Sequence, residues 1–311
     1  MKRNPLLIIL IIVVGIAIFF SYSAYRNYNR QIKDARVSLG YRKQAWLELR
    51  NSLEKKVMHF KGTVSIIIED LDTGWEIAFN KDKLIPSASL VKVPIMLACF
   101  YAAQDEKINL SDTVTLKSSQ KVPGSKIIGN KPTGSVFSVE ELLNPMITRS
   151  DNTAANALID YLGFDALNAY FKKMGLKNTN IARKMMDFEE RREGEENYTT
   201  AEDMAYLLEE LYRGAFLNKD VSERCLALLG QQKVNDRIPR KLPKDDTFVA
   251  HKTGLEKYVC HDVGIVYTPK GNFLICILVK HEQKRAKYAK KFISDIALRT
   301  FDYYQHLHYD Q

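Results

Sequence analysis

Six histidines and four cysteines in 311 residues leave little material for a metal centre. Cys99, Cys225, Cys260 and Cys276 stand far apart, with neither a CxxC pair nor a cysteine–histidine grouping. That removes the zinc-finger and dithiol readings. There is no H-E-x-x-H either; His251 and His261 flank a Lys-Thr-Gly stretch and read as hydrogen-bonding residues. No metal and no other cofactor is expected. Internal repeats and low-complexity tracts are absent. Basic residues outnumber acidic ones, giving a formal charge of +9, yet they form no stripe interleaved with aromatics, so nucleic acid is not an expected partner. The run from Lys280 to Lys291 carries part of this excess and reads as a solvated helix face. The charge as a whole suits an anionic wall or membrane surface.

Apolar sequence is plentiful. At 46% hydrophobic content the chain can bury a full core, and its length fits one unit of two lobes. From Leu6 to Phe20 the sequence is almost unbroken in apolar residues, preceded by Lys2 and Arg3. The run is short for a spanning helix of about 20 residues and long for a signal sequence. Both readings mean export. An uncleaved anchor over residues 1–24 is expected, because residues 25–43 are polar and helix-prone, like a juxtamembrane stalk. Cleavage after Ser23 is the alternative and would leave a secreted protein, while the lack of a cysteine there argues against a lipoprotein. Export permits disulfides, and Cys260 and Cys276 could face each other across a predicted hairpin; the other reading is four buried thiols in apolar sequence.

Gly62 to Ile68 and Trp75 to Asn80 read as a hairpin around the turn Asp72-Thr73-Gly74. Three further strands are predicted near the other end, over Thr247 to Lys252, Val259 to Thr268 and Asn272 to Val279, followed by a helix from Glu282 to Tyr303. Between them lie amphipathic helical segments: Leu90–Asp105, Val139–Met146, Thr153–Tyr161, Phe164–Met174, Ala201–Tyr212 and Ser222–Gln231. Strands at both ends with helices between imply an α/β (α+β) fold of two lobes. One antiparallel sheet is built from both termini, an all-helical lobe is inserted into it, and a membrane helix precedes them. Residues 44–311 form the predicted folded domain, with its site in the groove between lobes.

Three short motifs stand in order: Ser89-Leu-Val-Lys92, Ser150-Asp-Asn152 and Lys252-Thr-Gly254. The first opens a predicted helix, which puts a hydroxyl and an amine one turn apart on the same face. A serine hydroxyl is a poor nucleophile until a base takes its proton, and a lysine beside another cation in a desolvated groove can have its pKa lowered enough to serve. Ser150, Asp151 and Asn152 also suit the start of a helix, where such residues cap free N–H groups. Asp151 reads as a brace for its loop.

In this set the sequence resembles the class A β-lactamases and their relatives among the penicillin-binding proteins, over roughly residues 62 to 303. The resemblance implies that Ser89 attacks a carbonyl to form an acyl-enzyme while Lys92 accepts or relays its proton. Ser150 would pass a proton to the leaving nitrogen, and Asn152 would hold the substrate amide. Lys252 would attract the substrate carboxylate, with Thr253 hydrogen-bonding it. The N–H groups of Ser89 and Leu255 would form an oxyanion hole, worth about 3–4 kcal/mol per donor. Gly254 would let the strand edge approach a substrate lying beside it.

One stretch departs from the family pattern. Class A enzymes release the acyl group with a glutamate in a loop that begins R-x-E and ends before a Thr-Thr helix start. Here Arg183 and Thr199-Thr200 are present, but the position two after Arg183 is Met185. Asp187 is the candidate replacement base, with a shorter side chain that must sit closer. Glu189 to Glu196 reads as a solvated loop. The expected activity is β-lactamase-type hydrolysis through acyl-Ser89 outside the membrane. A D-alanyl-D-alanine peptidase or transpeptidase on wall peptides, or a penicillin-binding sensor, remains open beside it. The oligomeric state is not legible.

Overall fold

The computed structural model describes residues 5–283 and 285–306. Helix α1 (Pro5–Met58) leads into the hairpin β1 (Gly62–Asp70) and β2 (Trp75–Phe79). Strand β3 (Ile85–Pro86) and a 3-10 turn (Ala88–Val91) feed α2 (Lys92–Gln104). The helical lobe continues through β4 (Thr113–Thr115), β5 (Val136–Ser138), α3 (Val139–Thr148), α4 (Asn152–Leu162), α5 (Phe164–Lys173), α6 (Phe188–Arg192), β6 (Tyr198–Thr199), α7 (Ala201–Tyr212) and α8 (Lys219–Gly230). A 3-10 turn (Ile238–Lys241) then returns the chain to β7 (Phe248–Glu256), β8 (Val259–Tyr267), β9 (Phe273–His281) and α9 (Lys287–Gln305).

The five long strands form one antiparallel sheet in the order β2-β1-β9-β8-β7. Both of its faces are covered, which is why β1, β8 and β9 are buried along nearly their whole length. Alternation still sorts the side chains. Ile67, Leu274, Cys276, Leu278, Val263 and Ile265 join the core of the helical lobe, whereas Ile66, Ile68, Ile275, Ile277 and Cys260 join an outer core beneath α1 and α9. On β7 the same alternation sets Lys252 on the side of Ala250, which faces the helical lobe.

The structure decides between the two cysteine readings. The β8–β9 register pairs Cys276 with Val263 and Cys260 with Val279, so these cysteines lie in opposite cores and cannot bridge. All four cysteines are free and buried. Helix α1 runs unbroken through the stretch read as stalk and on into the outer core, where Trp46, Leu49 and Leu53, all within the predicted domain 44–311, form one apolar stripe at helical spacing. The stretch read as stalk is itself pinned at its end: Arg42 Nη2 lies 2.6 Å from Asp70 Oδ2 on the sheet. The apolar run Leu6–Phe20 falls in α1, but its side chains up to Ile18 and Phe19 lie outside the described residues. Among the described residues no helix is long and apolar enough to cross a membrane.

Candidate active site

The nucleophile turn is held from both sides before any chemistry is considered. Ser87 N donates to Asn197 O (2.7 Å), next to β6, which pairs with β3. His261 Nε2 donates to Pro86 O (2.9 Å) and its Nδ1 accepts from Val279 N (3.1 Å). Ala88, just before Ser89, has φ +47°. A non-glycine residue there costs about 1–3 kcal/mol and persists only where the surroundings impose it. Ser150 is held in the same region, at φ +56°. Ser89 therefore sits in a tight 3-10 turn ahead of α2, rather than in the α-helix that the spacing predicts.

Lys92 starts α2 and is fully buried. Its Nζ lies 3.3 Å from Ser89 Oγ, 3.2 Å from Ser150 Oγ, 2.7 Å from Ser150 O and 2.5 Å from Asn152 Oδ1. Burial, then the charge of Lys252, hold its pKa well below the ordinary lysine value, against the opposing pull of Asp151 and Glu256. A neutral amine at this distance can take the Ser89 proton. Lys252 Nζ donates to Ser150 Oγ (3.0 Å) from the opposite side and to Thr253 O (3.0 Å). It too is buried, and burial followed by the nearby Arg237 guanidinium brings its pKa down to about 7. Ser150 is thus a hydroxyl between two amines, placed to pass a proton.

Asp151 acts on this group through its charge alone and makes no hydrogen bond to it. Its Oδ1 caps α4 at Ala154 N, and its Oδ2 accepts from Ile127 N and Ile128 N, so it fixes the loop that presents Ser150. The Lys-Thr-Gly residues lie inside β7 and not at the end of a strand, because pairing with β8 continues to Glu256. Alternation turns Thr253 to the face of His251 and Asp262, away from the Lys252 amine. Gly254 has a structural reason beyond access for substrate. A Cβ there would come within 2.9 Å of the His261 ring and 3.2 Å of Ser87 O, so its absence lets β7 pack against the nucleophile turn. Leu255 is half exposed on the edge strand.

His251 Nδ1 donates to Asp262 Oδ1 (2.8 Å), and Asp262 Oδ2 accepts from Ile238 N (2.9 Å). Both histidines are thus engaged in hydrogen bonds, and among the described residues no group of histidine, cysteine and carboxylate side chains could hold a metal. Burial pushes His261 down to about 4 from an ordinary 6.5. Between those values the unfolded chain binds the proton and the native state does not. This residue's contribution to stability is therefore intact above about pH 6.5 and declines as pH falls toward 4. Urea midpoints should consequently drop more from pH 7 to pH 4.5 in the unmodified chain than in His261→Gln; equal drops would show that His261 titrates normally.

The departing loop is tied down by residues that the motifs do not include. Arg183, buried, reaches Glu196 (2.7 Å) and Glu256 on β7 (3.3 Å), and Arg191 reaches the same two carboxylates at 2.9 and 3.0 Å. Asn197 Oδ1 accepts from Ala182 N and Arg183 N. Asn156, one turn beyond Asn152 on the same face of α4, donates to Met185 O (3.2 Å) and accepts from Met185 N (2.8 Å). Met185 is therefore fastened next to the helix turn whose Asn152 touches Lys92, and its side chain is buried. Asp187 is elsewhere engaged: it caps α6 by accepting from Glu190 N (3.2 Å), and among the described residues no bond joins it to Ser89, Lys92 or Ser150. Loss of a general base costs about 10²–10⁴-fold. Asp187→Asn should instead leave the decay of any acyl-enzyme within about twofold in a label-chase experiment. A large slowing would return Asp187 to the mechanism.

The profile of the beta-lactamase enzyme family matches residues 48–304. The chain belongs to that family. Beta-lactamase VEB-1 of Pseudomonas aeruginosa is 24% identical over 272 residues, covering 83% of this chain and 89% of that protein. Among solved structures, a beta-lactamase from Sphaerobacter thermophilus has a TM-score of 0.75 at 28% identity, covering 84% of this chain and 97% of the other. PBP-A has a TM-score of 0.76 at 27% identity, covering 83% and 96%. A leucine-to-glutamate mutant of PBP-A, solved as an acyl-enzyme with penicillin G, matches at the same TM-score and identity. Membership in the family accounts for the sheet and inserted helices.

Sequence reasoning missed Asn156, Glu256 and Arg237. Asn156 carried a signal, its four-residue spacing from Asn152. Arg237 carried none: its position under Lys252, with Nε 3.2 Å from Cys260 Sγ, depends on the return turn into β7.

Proposed function

We propose that this protein is a serine hydrolase of the β-lactamase type, opening the β-lactam amide through an acyl-enzyme at Ser89. The observation that carries this reading is the single amine, Lys92 Nζ, within hydrogen-bond distance of Ser89, Ser150 and Asn152 together. Ser89 Oγ would bond to the lactam carbonyl carbon as Lys92 takes its proton. The C–N bond would then break as Ser150 delivers a proton to the nitrogen and is resupplied from Lys92 or Lys252. Ser89 N–H lies in the first turn of a helix, where amides lack intrahelical acceptors. It would share the developing oxyanion with the Leu255 N–H, while Lys252 would draw in the substrate carboxylate; Thr253, turned to the other face of β7, would not reach it with its side chain.

One observation favours a second reading, a penicillin-binding peptidase acting on D-alanyl-D-alanine ends. Met185 has no group with which to activate water, so the acyl-enzyme would persist. The apolar run Leu6–Phe20 supports an anchor that leaves the domain outside the membrane. The test is a pulse of fluorescent penicillin on the full chain in detergent, followed by a chase with unlabelled drug. Covalent, stoichiometric label is expected. Its loss within seconds would fit a lactamase and its persistence for hours a peptidase; no label at all would overturn both readings.

A further inference from the structure

The C-terminal turns of α1 meet α9 in an open groove of about 420 Å³ lined by Ser52, Lys55, Lys56, His59 and Arg299. No carboxylate lines it. Arg299 Nη1 donates to Ser52 Oγ (2.8 Å), which fixes the guanidinium at the rim. Lys291 and Lys241 stand close enough to repel Lys56, and the one acid acting on it, Asp295, already bridges both of those lysines. Among the described residues none of Lys55, Lys56 and Arg299 has a carboxylate partner. Lys56 is partly desolvated, and burial followed by Arg299 lowers its pKa. Such convergence of like charge is unfavourable in the empty groove and becomes favourable around a multiply charged anion.

We propose that this groove is a binding site for a phosphate group, held by Lys56 and Arg299 with Lys55 at its edge. A phosphate monoester carries nearly two negative charges and three acceptor oxygens, which match an arginine fork beside lysine ammonium groups. A single carboxylate would leave most of the positive field uncompensated. The site is distinct from the catalytic groove, since α1 and α9 cover the outer face of the sheet and Ser89 lies on the inner one. Thirty-four residues of continuous helix separate Phe20 from Lys55, about 50 Å at 1.5 Å per residue. That is well beyond the Debye length of about 8 Å. With the anchor proposed above, a phosphate away from the bilayer surface is therefore favoured over a lipid headgroup.

Calorimetric titration of the full chain in zwitterionic detergent with inorganic pyrophosphate, at constant ionic strength, tests this. Saturable one-site binding is expected, weakened by at least about tenfold in the double variant K56Q/R299Q and unchanged in K126Q, which removes a remote exposed lysine. The rate of penicillin labelling should be the same in all three proteins. Should the double variant unfold, K55Q offers a milder test, with a smaller loss of affinity expected. Displacement of pyrophosphate by inorganic phosphate alone assigns the site to a free or polymer-borne phosphate; displacement only by phosphatidylglycerol vesicles assigns it to a headgroup. Either supports a phosphate site. No saturable heat, or equal affinity in native chain and double variant, overturns it.

Discussion

Lys92→Met will slow acylation of Ser89 by about 10²–10⁴-fold, the span that a positioned general base contributes, with the hydroxyl itself still present. Methionine nearly matches the lysine stem in volume and removes only the buried amine, which holds Ser89, Ser150 and Asn152 in one network. Loss of that donor leaves Asn152 Oδ1 and Ser150 O with an unmade hydrogen bond, at about 1–3 kcal/mol for a buried group. Removing a desolvated amine offsets part of this, so the variant should remain folded. Stopped-flow labelling with a fluorescent penicillin reads the rate directly, and Ser89→Ala supplies the floor at which no label forms. Labelling of Lys92→Met at the native rate would exclude Lys92 as the base.

Met185→Glu should act on the other half of the reaction, raising the rate at which acyl-Ser89 is lost by about 10²-fold or more. The backbone at this position is already fixed by two hydrogen bonds to Asn156, so the substitution changes a side chain and leaves the loop frame in place. A carboxylate would then enter a buried environment close to the turn of α4 that carries Asn152. Its desolvation should lower the thermal midpoint, while the acylation rate should stay near the native value. Faster chase with unchanged labelling is the expected signature. A chase rate equal to that of the unmodified chain would show that the geometry around Met185, and not its chemistry, limits release.

The sequence carried the acylation group because Ser89, Lys92, Ser150 and Lys252 each belong to a local motif, and local motifs survive without knowledge of the fold. It also carried the sheet, since the short β-branched runs at both ends of the chain had to pair with something. What it could not carry are contacts set by tertiary packing. Whether Cys260 and Cys276 bridge or stay buried thiols was open until the register put them on opposite faces. Asp187 stood close to Met185 in the chain, yet its carboxylate is spent on the N-terminus of α6. Gly254 read as clearance for a substrate, whereas the atoms nearest its missing Cβ belong to His261 and Ser87. The Arg42–Asp70 ion pair at the end of the 25–43 stalk was likewise not legible, whereas the apolar stripe that docks begins at Ala45 and Trp46, inside the predicted domain.

The pairing of β1 with β9, Gly62 opposite His281, also fixes when the site can exist. About 200 residues separate the two strands, and closing so long a loop is slow relative to local helix formation. During synthesis the first strand has no partner on that side until nearly the whole chain has emerged. Lys252 reaches Ser150 only with the same closing sheet. An incompletely synthesised chain is therefore catalytically silent, with its serine present but its proton relay unbuilt.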